Sequence, residues 1–548
     1  MDRETAMTKT HAKAGDWWRG AVIYEIYPRS YQDTSGDGSG DLRGITSRLG
    51  HIASLGADAI WIAPFFRSPM ADMGYDVSDY RDVDPMFGTL ADFDALVAEA
   101  HRLGVKVIID QVLSHSSDRH EWFRESRSSR DNSKSDWYVW ADPRPDGSPP
   151  NNWLSVFGGP SWEWDSVRRQ YYLHNFLVSQ PDLNFHNEDV QDALLDAVRF
   201  WLDRGVDGFR LDTSNFYFHD RRLRSNPPLK PAATETNPYN FQEHVYDKNR
   251  QETLGFMRRL RALLDRYGAI AMGEVGEGDG LRSLELVRAY TSGGDRLHMC
   301  YTFDMLGPKF SPEQIRKCAE PFATGLAEGW LCWAFSNHDV VRHVTRWTPP
   351  GVETDRIAKL SIALLVALRG AVCLYEGEEL GLPEAEIAFE DLRDPYGIRF
   401  WPGFKGRDGC RTPMVWDVSE PNAGFSTGKP WLPVPAAHIV RAVSAQEGDE
   451  QSVLSAYRTM IALRRGSPAL RDGDVEQLAA PGHLLAFVRA AGGERVLCLY
   501  NLGAASESWP LPTAFAGAAA IAAVDLGARI SGGIARMPAF SALFARLP

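Results

Sequence analysis

Short apolar runs alternate with amphipathic stretches from residue 21 to residue 379, and this alternation limits the possible folds more than any other feature. The apolar runs predict β-strands at 21–28, 57–64, 105–113, 206–212, 269–275, 299–304, 329–336 and 371–379. Helical patterns lie between them, for example at 90–104, 190–205 and 252–268. Near-continuous apolar strands are typical of a parallel sheet that is buried on both faces. Eight such strands predict an α/β fold, a closed (β/α)8 TIM barrel, with a doubly wound open sheet as the alternative.

The chain of 548 residues is longer than one ordinary core requires, so we expect smaller domains beside the barrel. Residues 115–182, after the third strand, are polar and rich in Trp, Asp, Ser and Pro, which predicts a small inserted domain. From residue 472 the composition shifts to Ala, Gly and Val with short strand-like runs. We therefore predict a barrel formed by 16–114 and 183–471, an inserted domain at 115–182, and a C-terminal antiparallel β-domain at 472–548.

Two further long insertions follow predicted barrel strands. Residues 213–249 come after strand four, and residues 381–450 come after strand eight. Active sites of TIM barrels lie at the carboxyl ends of the strands, where long loops usually serve a function. The first of these insertions is therefore predicted to form a lid or rim over an active site.

Charge and composition exclude several classes of partner. The net charge of −13 argues against binding to nucleic acid or to an anionic membrane. The six cysteines show no C-x-x-C spacing, which indicates reduced thiols. The sequence contains no apolar segment of signal-peptide or membrane-spanning length, so we expect a cytoplasmic protein. Nothing in the chain indicates an organic cofactor.

Polar and ionisable residues stand where four of the predicted strands end. Burying such groups inside a barrel costs several kcal/mol unless they are paired, so their concentration at these ends indicates a functional site. The residues are Asp110 and His115 after strand three, Arg210 and Asp212 at strand four, Glu274 at strand five, and Asn337, His338 and Asp339 after strand seven.

Three carboxylates beside an arginine and two histidines suit the hydrolysis of an acetal. Cleavage of a glycosidic bond needs one ionised carboxylate near the sugar and one protonated acid near the leaving oxygen. Arg210 lies two residues before Asp212 and so points to the same side of its strand, where its charge should keep Asp212 ionised. Glu274 has no basic neighbour in sequence, which favours a raised pKa from burial.

Six motifs, taken in order, resemble the motif set of glycoside hydrolase family 13, the α-amylase family. They are DQVLSH, QPDLN (180–184), GFRLDT, AMGEV, FSNHD and YEGEELG (375–381). Two more, IYPRSYQDTSGDGSGDLRGI (26–45) and RTPMVWD (411–417), resemble the α-glucosidase and oligo-1,6-glucosidase branch of that family. The matches extend from about residue 20 to residue 417, and the C-terminal part matches only in type.

The resemblance implies a role for each matching residue. Asp212 corresponds to the nucleophile that forms a covalent glucosyl-enzyme, Glu274 to the general acid/base, and Asp339 to the third carboxylate, which binds sugar hydroxyls. Transition-state contacts are implied for Arg210, His115 and His338. The pocket around the non-reducing glucose is implied to be closed by Asp72, Tyr75 and Arg411 and to have Phe157 and Phe176 as aromatic walls. Asp110 is implied to be structural support.

The loop DTSGDGSGD (33–41) has the composition of a cation site. Oxygen ligands at Asp33, Ser35, Asp37 and Asp41 alternate with glycines, as Ca²⁺ or Mg²⁺ requires. The twelfth position is Gly44 rather than Glu, so the loop is not an EF-hand, and an acidic Asx-turn loop without metal is the alternative. The resembled branch implies a structural Ca²⁺ or Mg²⁺ here, with Ser39 contributing a backbone oxygen.

Some positions depart from the family pattern. Ser114 replaces the Asn that binds a second calcium in endo-amylases, so we do not expect that ion here. Three more departures, Val340, Glu376 and Val415, lie near the acceptor side and leave acceptor choice open. Thr213 follows the implied nucleophile; in the resembled branch Thr or Ala there accompanies α-1,4 cleavage and Val accompanies α-1,6 cleavage. We therefore expect a preference for α-1,4 linkages in short substrates such as maltose.

Three functions are consistent with these observations. The first is a retaining, exo-acting α-glucosidase that acts on short α-glucosides as a monomer or homodimer. The second uses the same machinery on maltose or sucrose for transglucosylation to alcohol acceptors, sucrose hydrolysis or isomerisation. The third is a non-catalytic barrel scaffold, like the amino-acid-transporter heavy chains, which lack parts of the carboxylate triad that this chain contains.

Overall fold

Eight parallel strands form the centre of the molecule. The computed structural model describes residues 15–230, 235–277, 280–323 and 329–548. The strands are β1 (Val22–Ile26), β2 (Ala59–Ile62), β3 (Lys106–Gln111), β4 (Gly208–Leu211), β5 (Ile270–Val275), β6 (Met299–Thr302), β7 (Cys332–Ala334) and β8 (Ala371–Tyr375). Neighbouring strands pair in the order β6-β5-β4-β3-β2-β1-β8-β7. A parallel bridge between Cys300 and Leu331 joins β6 to β7, which closes the barrel and confirms the predicted fold.

Helices return the chain between these strands. They are Leu42–Leu55, Leu90–Arg102, Glu188–Leu202, Thr253–Leu264, Gly280–Thr291, Pro312–Ala319, His343–Trp347 and Thr354–Leu365, followed by Val453–Gly466. Side-chain caps fix their starts: Asp41 accepts a bond from Gly44 N, and Thr89 forms a capping box with Asp92. In the described parts of the chain, no helix combines the length and the apolar character that crossing a membrane requires.

Several strands end earlier than the sequence predicts. β1 ends at Ile26 because Pro28 begins the short helix Pro28–Tyr31. β8 ends at Tyr375, since Gly377 adopts a positive φ of 80° and starts the turn Glu378–Leu380. In both cases the chain leaves the sheet at the carboxyl end of the barrel, where the predicted polar residues lie.

Alternation along the strands separates two apolar layers. Residues such as Ile23, Trp61 and Met272 fill the barrel interior, whereas their neighbours pack outward against the helices. Toward the carboxyl ends of the strands, the inward-facing positions carry polar residues. Glu25 follows Ile23 by two residues, and Glu274 follows Met272 by two. The apolar core therefore changes into a polar site at one end of the barrel.

The inserted region after β3 forms a small layer of its own. It contains the helix Glu121–Ser128 and an antiparallel sheet of Trp140–Ala141, Gln170–Leu173 and Trp162–Asp165, in that order. Trp153, Trp162 and Leu173 form its core. The other two insertions add the short helices Pro238–Phe241, Pro395–Phe400, Ala436–Ile439 and Val443–Gln446, and residues 231–234 of the first lie outside the described residues.

The C-terminal part is an antiparallel β-domain, as predicted. Its larger sheet runs in the order Asp474–Leu478, Leu484–Ala491, Glu494–Asn501, Ser541–Arg546 and Ala519–Ala520. A second sheet pairs Glu507–Pro510 with Ile534–Met537 and Arg529–Ser531. The exact domain boundaries stay a prediction. All six cysteines lie in the described residues, where each is buried and free of disulfide bonds.

Candidate active site

A cavity of about 380 Å³ opens at the carboxyl ends of the barrel strands. It is lined by Asp72, Tyr75, His115, Val156, Phe157, Phe176, Asp212, Thr213, Phe216, Tyr239, Lys248, Glu274, Gly276, Glu277, Phe303, Asp339, Tyr396 and Arg407. Nine of the predicted site residues are in this lining. Arg210, His338 and Arg411 are buried one layer behind the wall. These positions bring the predicted set together, and the chemical role of each residue stays a prediction.

The guanidinium of Arg210 joins three carboxylates beneath the cavity. Its Nη1 lies 2.7 Å from Asp212 Oδ1 and 3.0 Å from both oxygens of Asp110, and its Nη2 lies 2.7 Å from Glu274 Oε1. Asp110 also accepts bonds from Trp61 and Tyr75. One positive charge therefore compensates three buried acids, and the group as a whole favours retaining a proton.

Burial and Arg210 act in opposite directions on the two carboxylates that face the cavity. Burial raises the pKa of Asp212 to about 7 and that of Glu274 to about 7, although Arg210 lowers both. The prediction that Arg210 keeps Asp212 ionised stays a prediction, since burial opposes Arg210 and both Asp110 and Glu274 share its charge. At neutral pH the pair can hold one proton between them, which provides the one ionised and one protonated carboxylate that acetal cleavage needs.

The turn after β4 and strand β6 each provide a donor that orients Glu274. Thr213 N donates to its Oε2 at 2.8 Å, and the Tyr301 hydroxyl donates to its Oε1 at 3.1 Å. The hydroxyl of Thr213 donates to Asp212 Oδ2 at 3.2 Å. Both carboxylates are therefore held in place by bonds from side chains and backbone around the cavity.

Asp339 is held ionised by the cations around it. Its Oδ1 lies 2.9 Å from Arg411 Nη2 and 3.2 Å from Arg407 Nη1, and its Oδ2 lies 3.3 Å from His338 Nε2. Burial alone would raise its pKa, but the charges of Arg407 and Arg411 hold the pKa well below the usual range for Asp. Asp339 can therefore accept hydrogen bonds from a bound ligand without carrying a proton itself.

Arg407, which the sequence analysis missed, takes the place on the cavity wall that was predicted for Arg411. Arg407 Nη2 lies 2.8 Å from Asp72 Oδ1 and 2.7 Å from Asp394 Oδ1. Arg411 is fully buried behind Asp339, where its Nε donates to the carbonyl of His338 at 2.7 Å. Arg407 lies four residues earlier in the insertion after β8, and a basic residue in an insertion at this end of the barrel was the available signal.

Two buried histidines are neutral. Burial lowers the pKa of His115 to about 4 and that of His338 to about 3. His338 Nε2 lies 2.6 Å from the Tyr75 hydroxyl, and its Nδ1 bonds to Glu25, a buried carboxyl group on β1 that the sequence analysis did not single out. The rings of Tyr75 and His338 stack with centroids 5.5 Å apart. Tyr75 lines the cavity, and His338 supports its ring from behind.

Aromatic side chains form the rest of the wall. Phe157 and Phe176 lie there as predicted, and Phe216, Tyr239, Phe303 and Tyr396 join them from loops that carry no family motif. Lys248 lies over the rings of Phe216 and Tyr239, and its Nζ donates to the carbonyl of Gly276 at 3.1 Å. The outer part of the cavity is therefore largely apolar.

The loop 33–41 is closed by hydrogen bonds of its own. Asp33 accepts bonds of 2.8 Å from the backbone N–H groups of Ser35, Gly36 and Gly38. Asp41 accepts from Thr34 N and Gly44 N. In the described ranges, no three His, Cys, Asp or Glu residues are grouped closely enough to hold a metal ion. The oxygen atoms are of the type that Ca²⁺ and Mg²⁺ prefer, and metal binding by this loop stays a prediction.

Comparison with known proteins identifies similar chains. The family model "Alpha amylase, catalytic domain" matches residues 25–473. A probable alpha-glucosidase of Rhizobium meliloti (strain 1021) is 63% identical over 505 residues, which is 91% of each chain. An oligo-1,6-glucosidase of Heyndrickxia coagulans is 37% identical over 538 residues, covering 91% of this chain and 94% of that one. The solved structure of an alpha-glucosyl transfer enzyme, XgtA, is 55% identical with a TM-score of 0.93, covering 97% of this chain and 99% of that one.

Proposed function

The chain belongs to the α-amylase family of glycoside hydrolases, in its α-glucosidase and oligo-1,6-glucosidase branch, and we propose that it is a retaining, exo-acting α-glucosidase. The proposed reaction releases α-glucose from the non-reducing end of short α-1,4-linked glucosides. Membership in this family, together with relatives that are named α-glucosidases, confirms the prediction that the chain is an enzyme. The observation that carries the finer proposal is the pair Asp212 and Glu274, joined through Arg210 at the base of one cavity.

The proposed mechanism is a double displacement. Asp212 attacks the anomeric carbon while Glu274 gives its proton to the departing glycosidic oxygen, which leaves a glucosyl ester on Asp212. Water then attacks the same carbon, the ester bond breaks, and Glu274 takes up the proton of the water. Retaining enzymes need carboxylates roughly 5–5.5 Å apart. The two carboxylates bond to the two terminal nitrogens of one guanidinium. This arrangement supports a distance between the carboxylates in that range.

The closed inner end of the cavity supports exo-action. Asp72 and Arg407 form an ion pair there, and the guanidinium of Arg407 lies over the Phe157 ring at 5.4 Å from its centroid. We infer that these groups block a sugar chain from continuing past the glucose that they contact. A single terminal glucose, whose hydroxyls can bond to Asp72, Arg407 and Asp339, fits this arrangement best.

The preference for α-1,4 linkages is proposed from Thr213, which lines the cavity beside both carboxylates. A panel of maltose, isomaltose, sucrose, trehalose and starch tests it. We expect maltose to be cleaved fastest and starch slowly. If isomaltose is cleaved faster than maltose, the linkage proposal is wrong, while the exo-glucosidase proposal stands.

Transfer to an alcohol is the second candidate function, and the outer wall of the cavity favours it. Phe216, Tyr239 and Phe303 give the acceptor side an apolar character that holds water poorly. The alpha-glucosyl transfer enzyme XgtA is 55% identical to this chain. With maltose or sucrose as donor and a high concentration of an alcohol, the ratio of glucoside to free glucose measures the share of transfer.

The stereochemistry of the first product decides the mechanism. ¹H NMR recorded during the first minutes of cleavage of 4-nitrophenyl α-glucoside, which releases a single glucose, should show α-glucose before mutarotation produces the β-anomer. Initial release of β-glucose would show that the reaction inverts the anomeric centre, which would exclude the covalent role of Asp212.

A further inference from the structure

Thr213 adopts a backbone conformation that its side chain disfavours. Its φ is +43°, in the left-handed region, directly after Asp212. A β-branched residue rarely adopts this conformation because its Cβ substituents crowd the neighbouring carbonyl. Such strain persists only where the surrounding structure enforces it, and it concentrates at functional sites. The position of Thr213 therefore needs an explanation from its contacts.

The turn at Thr213 directs two donors of one residue at two carboxylates. Its backbone N–H donates to Glu274 Oε2 at 2.8 Å, and its hydroxyl donates to Asp212 Oδ2 at 3.2 Å. The next residue, Ser214, donates from both its N–H and its hydroxyl to the carbonyl of Glu274. The turn is thus attached to β5 at three points, and these bonds hold the left-handed conformation.

The donors around Glu274 distinguish its two oxygens. Oε1 accepts from Arg210 Nη2 at 2.7 Å and from the Tyr301 hydroxyl at 3.1 Å, which uses both of its lone pairs. Arg210 donates to the oxygen of Tyr301, so the Tyr301 hydrogen is directed at Glu274. Among the described residues, Oε2 accepts a bond from Thr213 N alone, which leaves it one lone pair. A proton on Glu274 therefore belongs on Oε2.

We propose that Thr213 is a positioning residue for both catalytic carboxylates, held in the left-handed conformation for that purpose. Its N–H fixes Glu274 so that Oε2 carries the proton that goes to the leaving group, and its hydroxyl favours the ionised form of Asp212. This role rests on the proposed function. It is separate from the linkage preference expected for Thr213, because it acts on the enzyme's own carboxylates and not on the acceptor.

A neighbouring chain of hydrogen bonds supports the direction of the Thr213 hydroxyl. His115 Nε2 lies 3.1 Å from the side-chain nitrogen of Gln180 and 3.1 Å from the carbonyl of Tyr75, and acceptance from Gln180 leaves the ring proton on Nδ1. The Ser114 hydroxyl lies 2.9 Å from that Nδ1 and 2.8 Å from Thr213 Oγ1. With the Nδ1 proton given to Ser114, the Ser114 proton goes to Thr213 Oγ1, which leaves the Thr213 proton for Asp212.

Thermal stability tests the backbone part with a matched pair. Thr213→Ala and Thr213→Gly both lack the hydroxyl and differ only in the Cβ atom. At an ordinary position the Ala variant is the more stable of the two, whereas at a positive φ the order reverses. We expect the Gly variant to have the higher Tm. A higher Tm for the Ala variant would show that the left-handed conformation is not enforced in solution.

The pH dependence of kcat/KM tests the hydroxyl. Thr213→Val removes the donor and keeps the shape, and Thr213→Ser keeps the donor. Arg210, Asp110, Glu274 and Asp339 also face Asp212, and neither substitution changes them. Loss of a donor to a carboxylate disfavours its ionised form, so the acid limb in the Val variant should move up by about 0.5 pH unit. In the Ser variant the acid limb should return to its position in the parent enzyme. If the acid limb lies at the same pH in the Val and Ser variants, the proposed role of the hydroxyl is wrong.

The leaving group tests the contact with Glu274. α-Glucosyl fluoride needs little acid assistance, whereas maltose needs a full proton transfer. If the Thr213 N–H positions the acid, Thr213→Ala, which disfavours the positive φ, should lower the rate on maltose by roughly 10-fold more than the rate on the fluoride, whereas Thr213→Gly, which permits it, should show a smaller difference. Equal losses on both substrates would refute the positioning of Glu274. If the proposed function itself is wrong, the parent enzyme will be inactive, but its Thr213→Ala and Thr213→Gly variants will still differ in Tm.

Discussion

Arg407 Nη2 and Asp72 Oδ1 lie 2.8 Å apart at the inner end of the cavity, although 335 residues separate them in the chain. Asp72 follows β2, and Arg407 comes from the insertion after β8. Burial raises the pKa of Asp72, and Arg407 is the largest influence that opposes it. The pair thus closes the site and helps to keep Asp72 available as an acceptor for sugar hydroxyls.

Substitution of Arg407 should weaken substrate binding more than it slows chemistry. Arg407→Lys keeps a positive charge but cannot bond to Asp72, Asp394 and Asp339 at once. We expect KM for maltose to rise by about 10-fold or more, equivalent to about 1.4 kcal/mol, with a smaller change in kcat. Lys405→Ala is the matched control, since Lys405 lies two residues away and is exposed. An unchanged KM in Arg407→Lys would show that this wall does not contact the sugar.

Asp212→Asn should abolish glucosidase activity, with a loss of kcat of at least roughly 10³-fold, because the amide cannot form the glucosyl ester. Azide should restore turnover in Asp212→Ala by attacking from the vacated side. The product should then be β-glucosyl azide, identified by NMR. Formation of the α-azide would mean that another residue is the nucleophile.

Glu274→Ala should separate the two steps of the reaction. Without the acid, maltose cleavage should fall by roughly 10²–10⁴-fold, whereas 4-nitrophenyl α-glucoside, which has a good leaving group, should still form the glucosyl-enzyme. Azide should then give α-glucosyl azide, the opposite anomer from the Asp212→Ala product. Equal losses on both substrates would contradict an acid role.

The activity of the parent should decline above neutral pH. Glu274 must be protonated to act as an acid, and burial raises its pKa to about 7. The group is therefore in its active form below this pH and loses it as the pH rises through about 7. In Glu274→Gln the alkaline limb of kcat/KM for the activated substrate should flatten. If that limb persists, it belongs to another group.

Buried Glu378 should make the fold less stable at alkaline pH. Burial raises its pKa to about 8, so the folded state binds a proton that the unfolded state has already released. The stability contributed by this proton is present at low pH and is lost as the pH rises from about 4 to about 8, by roughly 2–4 kcal/mol. Glu378→Gln should reduce the drop in Tm between pH 5 and pH 9. Glu390→Gln, at an exposed site, is the control and should leave the drop unchanged.

Addition of Ca²⁺ or Mg²⁺ should raise the Tm if the loop 33–41 binds a cation. Asp37 is exposed, and within the described part of the chain its carboxylate accepts a bond from Ser39 N alone, which leaves it the freest ligand in the loop. Asp37→Asn should weaken the effect, and a chelator should lower the Tm of the parent but not of the variant. A Tm that does not respond to either ion or to the chelator would favour the alternative, an acidic turn without metal.

The barrel could be predicted because the patterns that indicate its strands and helices lie within short stretches of the sequence. Near-continuous apolar strands and amphipathic helices can be recognised in any stretch of ten to twenty residues, and a spacing of two residues places Asp212 on the same side of its strand as Arg210. Strand order around a closed barrel follows from the sequence of the elements. The position of the polar residues at strand ends therefore predicted one shared site.

Contacts between distant loops could not be predicted in the same way. Whether Arg407 or Arg411 faces the cavity depends on how an insertion folds back onto Asp72. The aromatic side chains of the wall, Phe216, Tyr239 and Tyr396, come from segments without a recognisable motif. Motif likeness places a residue near a site, but it does not tell which of two arginines four residues apart faces the cavity.

Sequence alone determined the barrel, the order of its strands and the set of ionisable groups at their ends, since these follow from periodicity and from the cost of burying charge. Only the tertiary structure decided how the single charge of Arg210 is shared among Asp110, Asp212 and Glu274. Protonation of buried acids depends on distances between elements and on the exclusion of water, and neither quantity is encoded in any local stretch of the chain.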